Sequence, residues 1–178
     1  MNKSAQPKSP SFKTKLLKVM KHFLIFALVF FSIAFALDYW RGQTLPTANI
    51  PQSEYIDIEG NSIDLTLLSK DQLVVVYFWA TWCTPCKVTT LSMKQLVKTY
   101  PVVSIAMASG ENSELVGHFG EQSNIKTIND DDQIISKLWG VQVTPTILFI
   151  KNGQVLGHTT GISGLPSLLV RTAIYDRE

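Results

Sequence analysis

Leu73 to Trp79 is an unbroken run of seven apolar residues, and four positions after it Cys83 and Cys86 stand three apart. Uninterrupted β-branched and aromatic character over that length is what a strand buried on both faces requires. A helix follows directly. Cys86, Thr90, Met93, Val97 and Tyr100 recur at three- and four-residue spacing, until Pro101 closes the segment. A covered strand that hands over to a helix at two thiols points to an α/β domain with a mixed sheet.

The remaining pattern agrees. Val102 to Met107 reads as a second buried strand, and Ser113 to Gly120 and Gln133 to Trp139 as short helices flanking a brief strand near Ile125. Thr146 to Ile150, Asn152-Gly153 and Val155 onward read as a strand, a tight primed turn and an antiparallel return. A last helix starts near Pro166 and runs to about Tyr175. Ahead of the central strand, Ile56 and Ile58 alternate with polar residues, Gly60-Asn61 interrupts, and Ile63 and Leu65 resume, which predicts a small hairpin. The folded unit is expected over residues 52–178.

What precedes it has a different character. Phe23 to Leu37 is apolar except for Ser32, and six lysines with no acid come before it, the last being Lys21. Fifteen helical residues span only about 22 Å of a hydrocarbon core about 30 Å thick. Counted from Val19 to Trp40 the length is about 33 Å, with Lys21 and His22 able to snorkel at one end and Tyr39 and Trp40 at interfacial depth at the other. The expectation is a cytoplasmic basic segment over residues 1–22, a transmembrane anchor over 23–40 and a short stalk over 41–51. The positive-inside rule then sends the domain across the inner membrane into the periplasm. A cleaved signal peptide competes, since Ala34-Phe35-Ala36 fits the small-x-small pattern. Sixteen basic residues less those six leave ten against fourteen acids, a net charge of −4 for the rest of the chain. A nucleic-acid-binding surface is disfavoured on that balance. Two cysteines are also too few for a four-thiolate metal site.

Cys83-Thr84-Pro85-Cys86 falls at a helix N-terminus, where unpaired N–H groups and the helix dipole stabilise an anion. In such motifs the thiol pKa falls from about 8.5 to roughly 3.5–7.5. Cys83 is therefore the expected nucleophile. Cys86, one turn on and on the same face, is close enough to form a disulfide and is the expected buried resolving thiol. Pro85 suits the first helical turn and stiffens the loop between the sulfurs. Taken bare, the spacing also occurs in metal sites.

The context narrows it. Phe78-Trp79-Ala80-Thr81-Trp82-Cys83-Thr84-Pro85-Cys86-Lys87 resembles the active-site segment of the thioredoxin superfamily, and Leu138 to Thr146 resembles the segment carrying that superfamily's cis-proline. The resemblance implies a thioredoxin-like fold in which Pro145 faces the cysteines and the backbone of Thr144 pairs with an extended substrate. Trp82, Thr84 and Pro85 complete the implied substrate-binding surface, with Trp82 shielding the sulfur edge. The long interval between Cys86 and Pro145 accommodates the extra helix and strand of the membrane-tethered, exported branch, which includes TlpA-like proteins and the cytochrome c maturation reductases. Ser104 to Gly110, Ile128 to Asp132 and Gly164 to Ala173 are similar to protein disulfide oxidoreductases of the suppressor-of-copper-sensitivity D type.

Two departures stand out. Many thioredoxins carry a buried acid where this chain has Tyr77, and TlpA-like relatives often have a Glu shortly after the second cysteine, where Val88, Thr89 and Thr90 follow here. A buried carboxylate takes the resolving thiol's proton during exchange; without one the task falls to water, Tyr77 or the substrate. Other residues read plainly. Trp79, Met93 and Met107 belong to the core, His118 and His158 are structural or exposed, Lys87 is as well explained by solvation as by service to the thiolate, and Asp130 to Asp132 cap a helix start. The implied activity is thiol–disulfide exchange with protein partners. With no flavin or nucleotide motif, electrons must come through another protein, and a membrane reductase is the implied donor. The alternative is a Cu(I) metallochaperone using the same two thiolates.

Overall fold

The middle strand of the sheet is β3 (Val74–Trp79), and every residue in it is buried. The structure is a computed structural model that describes residues 49–110 and 114–177 and, nearer the N-terminus, residues 18, 20–26, 28–29 and 32–33. Its elements are β1 (Glu54–Ile56), β2 (Ser62–Asp64), α1 (Leu65–Leu68), β3, α2 (Thr84–Leu96), β4 (Val102–Met107), α3 (Glu114–Ser123), β5 (Lys126–Asp130), α4 (Ile134–Leu138), β6 (Thr146–Lys151), β7 (Gln154–Thr160) and α5 (Leu165–Tyr175). Five strands form one sheet in the order β5-β4-β3-β6-β7, parallel across β5-β4-β3 and antiparallel from β3 to β7. This is the mixed sheet the sequence predicts, and α3 and β5 lie between Cys86 and Pro145, the interval in which a helix and a brief strand are expected.

Alternation along β3 divides the core. Val75, Tyr77 and Trp79 pack with Met93 and Leu96 of α2, Phe119 of α3 and Leu168 of α5. Val74, Val76 and Phe78 pack on the other face with Trp139, Tyr55, Ile63 and Leu65. The turn between β6 and β7 is Asn152-Gly153, with φ of 53° and 71°, the positive values a primed turn requires.

The N-terminal hairpin forms with Tyr55 opposite Ile63 and Ile56 opposite Ser62, its second arm burying Ile63 as the pattern predicts and its first arm burying Tyr55 in place of Ile56. Tyr55 and Ile63 are buried while Ile56 and Ile58 are exposed. The buried Trp139 indole selects that face by donating to the Tyr55 hydroxyl at 2.7 Å. Leu65 opens a helix instead of extending a strand, because the Asp64 carboxylate accepts from the amides of Thr66 and Leu67 at 2.8 and 3.0 Å. The helix expected from Ser113 runs over Glu114–Ser123, and the strand expected near Ile125 occupies Lys126–Asp130.

The described residues between 18 and 33 are helical and exposed, in a unit separate from the one that begins at Arg41. Among the described residues no helix is long and apolar enough to cross a membrane. Most of the expected basic segment, anchor and stalk lies outside the described residues.

Candidate active site

Beyond Trp79 the chain turns through Ala80, Thr81 and Trp82, and Cys83 becomes the N-cap of α2 with Pro85 in the first turn. The Cys86 amide donates to the Cys83 sulfur at 3.2 Å, the bond that favours a thiolate at that position. Cys83 and Cys86 are joined in a disulfide with Cα atoms 5.3 Å apart, as their positions one turn apart predict. Both are almost wholly buried. Thr84 and Pro85 are exposed beside them, and Trp82 keeps 65% of its surface open.

A loop from a neighbouring strand fixes this turn. The Trp82 indole donates to the carbonyl of Ala108 at 2.9 Å, and the Thr81 amide donates to the hydroxyl of Ser109 at 3.0 Å. That loop is itself held, since the amides of Ala108 and Gly110 donate to Asp130 and Asp131. Ala108 and Ser109 were legible only as part of a family-like segment. Nothing local marks them as supports, because their partners lie 26 and 28 residues away.

The Thr144-Pro145 peptide is cis. Pro145 is buried and leads into β6, where Thr146 is paired with Phe78. The register therefore brings Thr144 and Pro145 to the sheet end from which the Trp79-to-Cys83 turn departs. The Pro145 carbonyl accepts from the Gly161 amide at 2.8 Å, which ties this loop to the end of β7.

A cavity of about 500 Å³ adjoins both cysteines. Its apolar wall includes Trp79 stacked on Phe119 with ring centroids 4.1 Å apart. Lys87 and Lys94 of α2 and His118 of α3 line the same space. His118 is exposed, as read from the sequence, yet the fold carries it to the cysteines, and only the unforeseen packing of α3 reveals that. Met93 and Met107 are core residues as expected.

Tyr77 lies beneath α2, its hydroxyl donating to the Cys86 carbonyl at 3.1 Å and 3.2 Å from the Thr90 hydroxyl. Burial pushes its phenol up to about 12, with the Thr90 hydrogen bond pulling the other way. The buried carboxylates Asp57 and Asp130 serve elsewhere. Asp57 accepts from the amides of Glu59 and Asn61, and Asp130 from those of Ile135 and Ser136 at the start of α4.

A dithiol pair at a helix N-terminus, beside a cis-proline loop on a five-stranded mixed sheet, defines the class of thiol–disulfide oxidoreductases of thioredoxin fold. The thioredoxin family model matches residues 55–171, and the chain belongs to that family. A thioredoxin-like protein of Haemophilus influenzae is 31% identical over 159 residues, covering 88% of this chain and 95% of that one. The thiol-disulfide oxidoreductase ResA of Bacillus thuringiensis is 33% identical over 117 residues, covering 62% of this chain and 67% of its own. Among solved structures, a secreted disulfide oxidoreductase of Mycobacterium tuberculosis homologous to E. coli DsbE superposes with a TM-score of 0.59 at 22% identity. That superposition covers 70% of this chain and 96% of that one.

Proposed function

We propose that this enzyme is a membrane-tethered oxidoreductase of the suppressor-of-copper-sensitivity D type, reducing disulfides of periplasmic proteins. The observation that carries the reading is the Cys83–Cys86 disulfide capping α2. In the reduced enzyme the Cys83 thiolate attacks one sulfur of a partner disulfide. A mixed disulfide forms, and the partner's other sulfur leaves as a thiolate and is protonated. Cys86, losing its proton, then attacks the Cys83 sulfur and expels the partner's second thiolate. The partner gains two electrons and the enzyme ends as the disulfide. A membrane reductase presenting a dithiol on the periplasmic side restores it. The lysine-rich terminus followed by the apolar run supports the tether and its orientation.

The test is insulin reduction by dithiothreitol with catalytic enzyme, alongside the equilibrium potential of the cysteine couple in a glutathione buffer. Activity that survives chelators and vanishes in Cys83→Ser, with a potential near about −270 mV, supports the reductase; a potential near about −120 mV makes it an oxidant. Tight one-to-one Cu(I) binding without exchange activity replaces this reading with the metallochaperone.

A further inference from the structure

We propose that the cavity beside the disulfide is a subsite for an acidic segment of the partner protein, flanking the partner's own cysteine. The proposal rests on the exchange reaction above and specifies which partners it favours.

Two helices build the subsite by the same spacing. Lys87, Thr90 and Lys94 follow at i, i+3 and i+7 on α2, and Leu115, His118 and Gln122 do so on α3, so each helix presents one face to the space between. Both cysteines line that space. A partner sulfur joined to Cys83 therefore brings its neighbouring residues to the cavity mouth. At about 500 Å³ the cavity falls within the usual range of binding pockets, roughly 300–1,000 Å³.

Its chemistry is one-sided. Among the described residues no carboxylate lines it, while the ammonium groups of Lys87 and Lys94 do, with the His118 ring beside them. Glu121 approaches the rim, 3.7 Å from His118 Nδ1, but does not line the cavity. Neither lysine is in an ion pair among the described residues, and Lys94 is half-buried, where a charge is less screened than at the open surface. Trp79, stacked on Phe119, gives the space an apolar wall. Apolar Leu115, exposed at the same face, suits the stems of glutamate and its neighbours.

The sign of the preference is decisive because the chain beyond the lysine-rich segment is acidic, with ten basic against fourteen acidic residues. Its overall field favours cationic partners. A preference for acidic ones that the Lys87→Gln/Lys94→Gln variant abolishes comes from local groups and not from the lysine-rich segment, whose six charges that variant keeps.

The experiment uses the full-length reduced protein and three disulfide peptides identical except for Glu, Gln or Lys on both sides of each cysteine. Stopped-flow tryptophan fluorescence gives the exchange rate, divided by the same peptide's rate with dithiothreitol to remove intrinsic reactivity. The Glu peptide is expected to react about fivefold faster than the Lys peptide at low ionic strength, and the gap to narrow in high salt. The double variant Lys87→Gln/Lys94→Gln loses the discrimination, and the distant Lys126→Gln keeps it. Equal rates, faster reaction of the Lys peptide, or a Glu preference that persists in the double variant each overturn the inference. The exchange reaction itself still stands in those cases. If no peptide exchanges at all, the proposed function fails and takes the subsite with it.

Discussion

Tyr77 holds a position where many thioredoxins carry an acid, and its phenol, pushed up to about 12 by burial, keeps its proton at neutral pH. It therefore donates to the Cys86 carbonyl and does not take the resolving thiol's proton; of the three candidates considered from sequence, water and the partner remain. Tyr55 is likewise raised to about 12, chiefly by burial, against a lowering hydrogen bond from Trp139. Above pH 10 the unfolded chain releases phenolic protons that the folded one retains. Stability is thus intact below about pH 10 and falls as pH rises toward about 12. Urea midpoints measured from pH 8 to 11.5 should be level and then drop, and Tyr77→Phe should flatten the drop while costing about 1 kcal/mol at neutral pH. At the cysteines, Cys86→Ser should accumulate a mixed disulfide with partner protein, seen as a dithiothreitol-sensitive band on a gel, which Cys83→Ser should not form.

The strands β3 and β4 were legible because burial on both faces leaves a continuous apolar run, and α2 because its thiols, proline and apolar period agree in one stretch. The hairpin was legible as a hairpin but not as to the face of its first arm. Ile56 and Tyr55 are both apolar, and the choice is made by Trp139, 84 residues away. The docking of α5 was similarly hidden. Gly157 in β7 leaves room for Tyr175, whose hydroxyl occupies the space a Cβ would need, while the Tyr175 ring packs on Phe149 at 5.1 Å. Gly157→Ala should lower stability by about 1–3 kcal/mol by displacing the end of α5. In a Tyr175→Leu background the same change should cost much less, and a double-mutant cycle on urea midpoints measures the difference.

Across the molecule, the cysteine pair was readable from one contiguous segment, whereas the cavity beside it was not, since α2 and α3 meet only in the fold. The proposed tether makes its own prediction. Full-length protein should sediment with membranes and resist carbonate extraction, and a periplasm-restricted protease should remove the domain from its anchor; a soluble cytoplasmic product ends that reading. One more consequence follows from the bond between the Trp82 indole and Ala108. A large ring standing open to water would ordinarily swing, and any visitor that pressed against it would have to halt that swing at an entropic cost. Here the plate is already bolted at its edge, so whatever lands on it meets a surface that has nothing left to surrender.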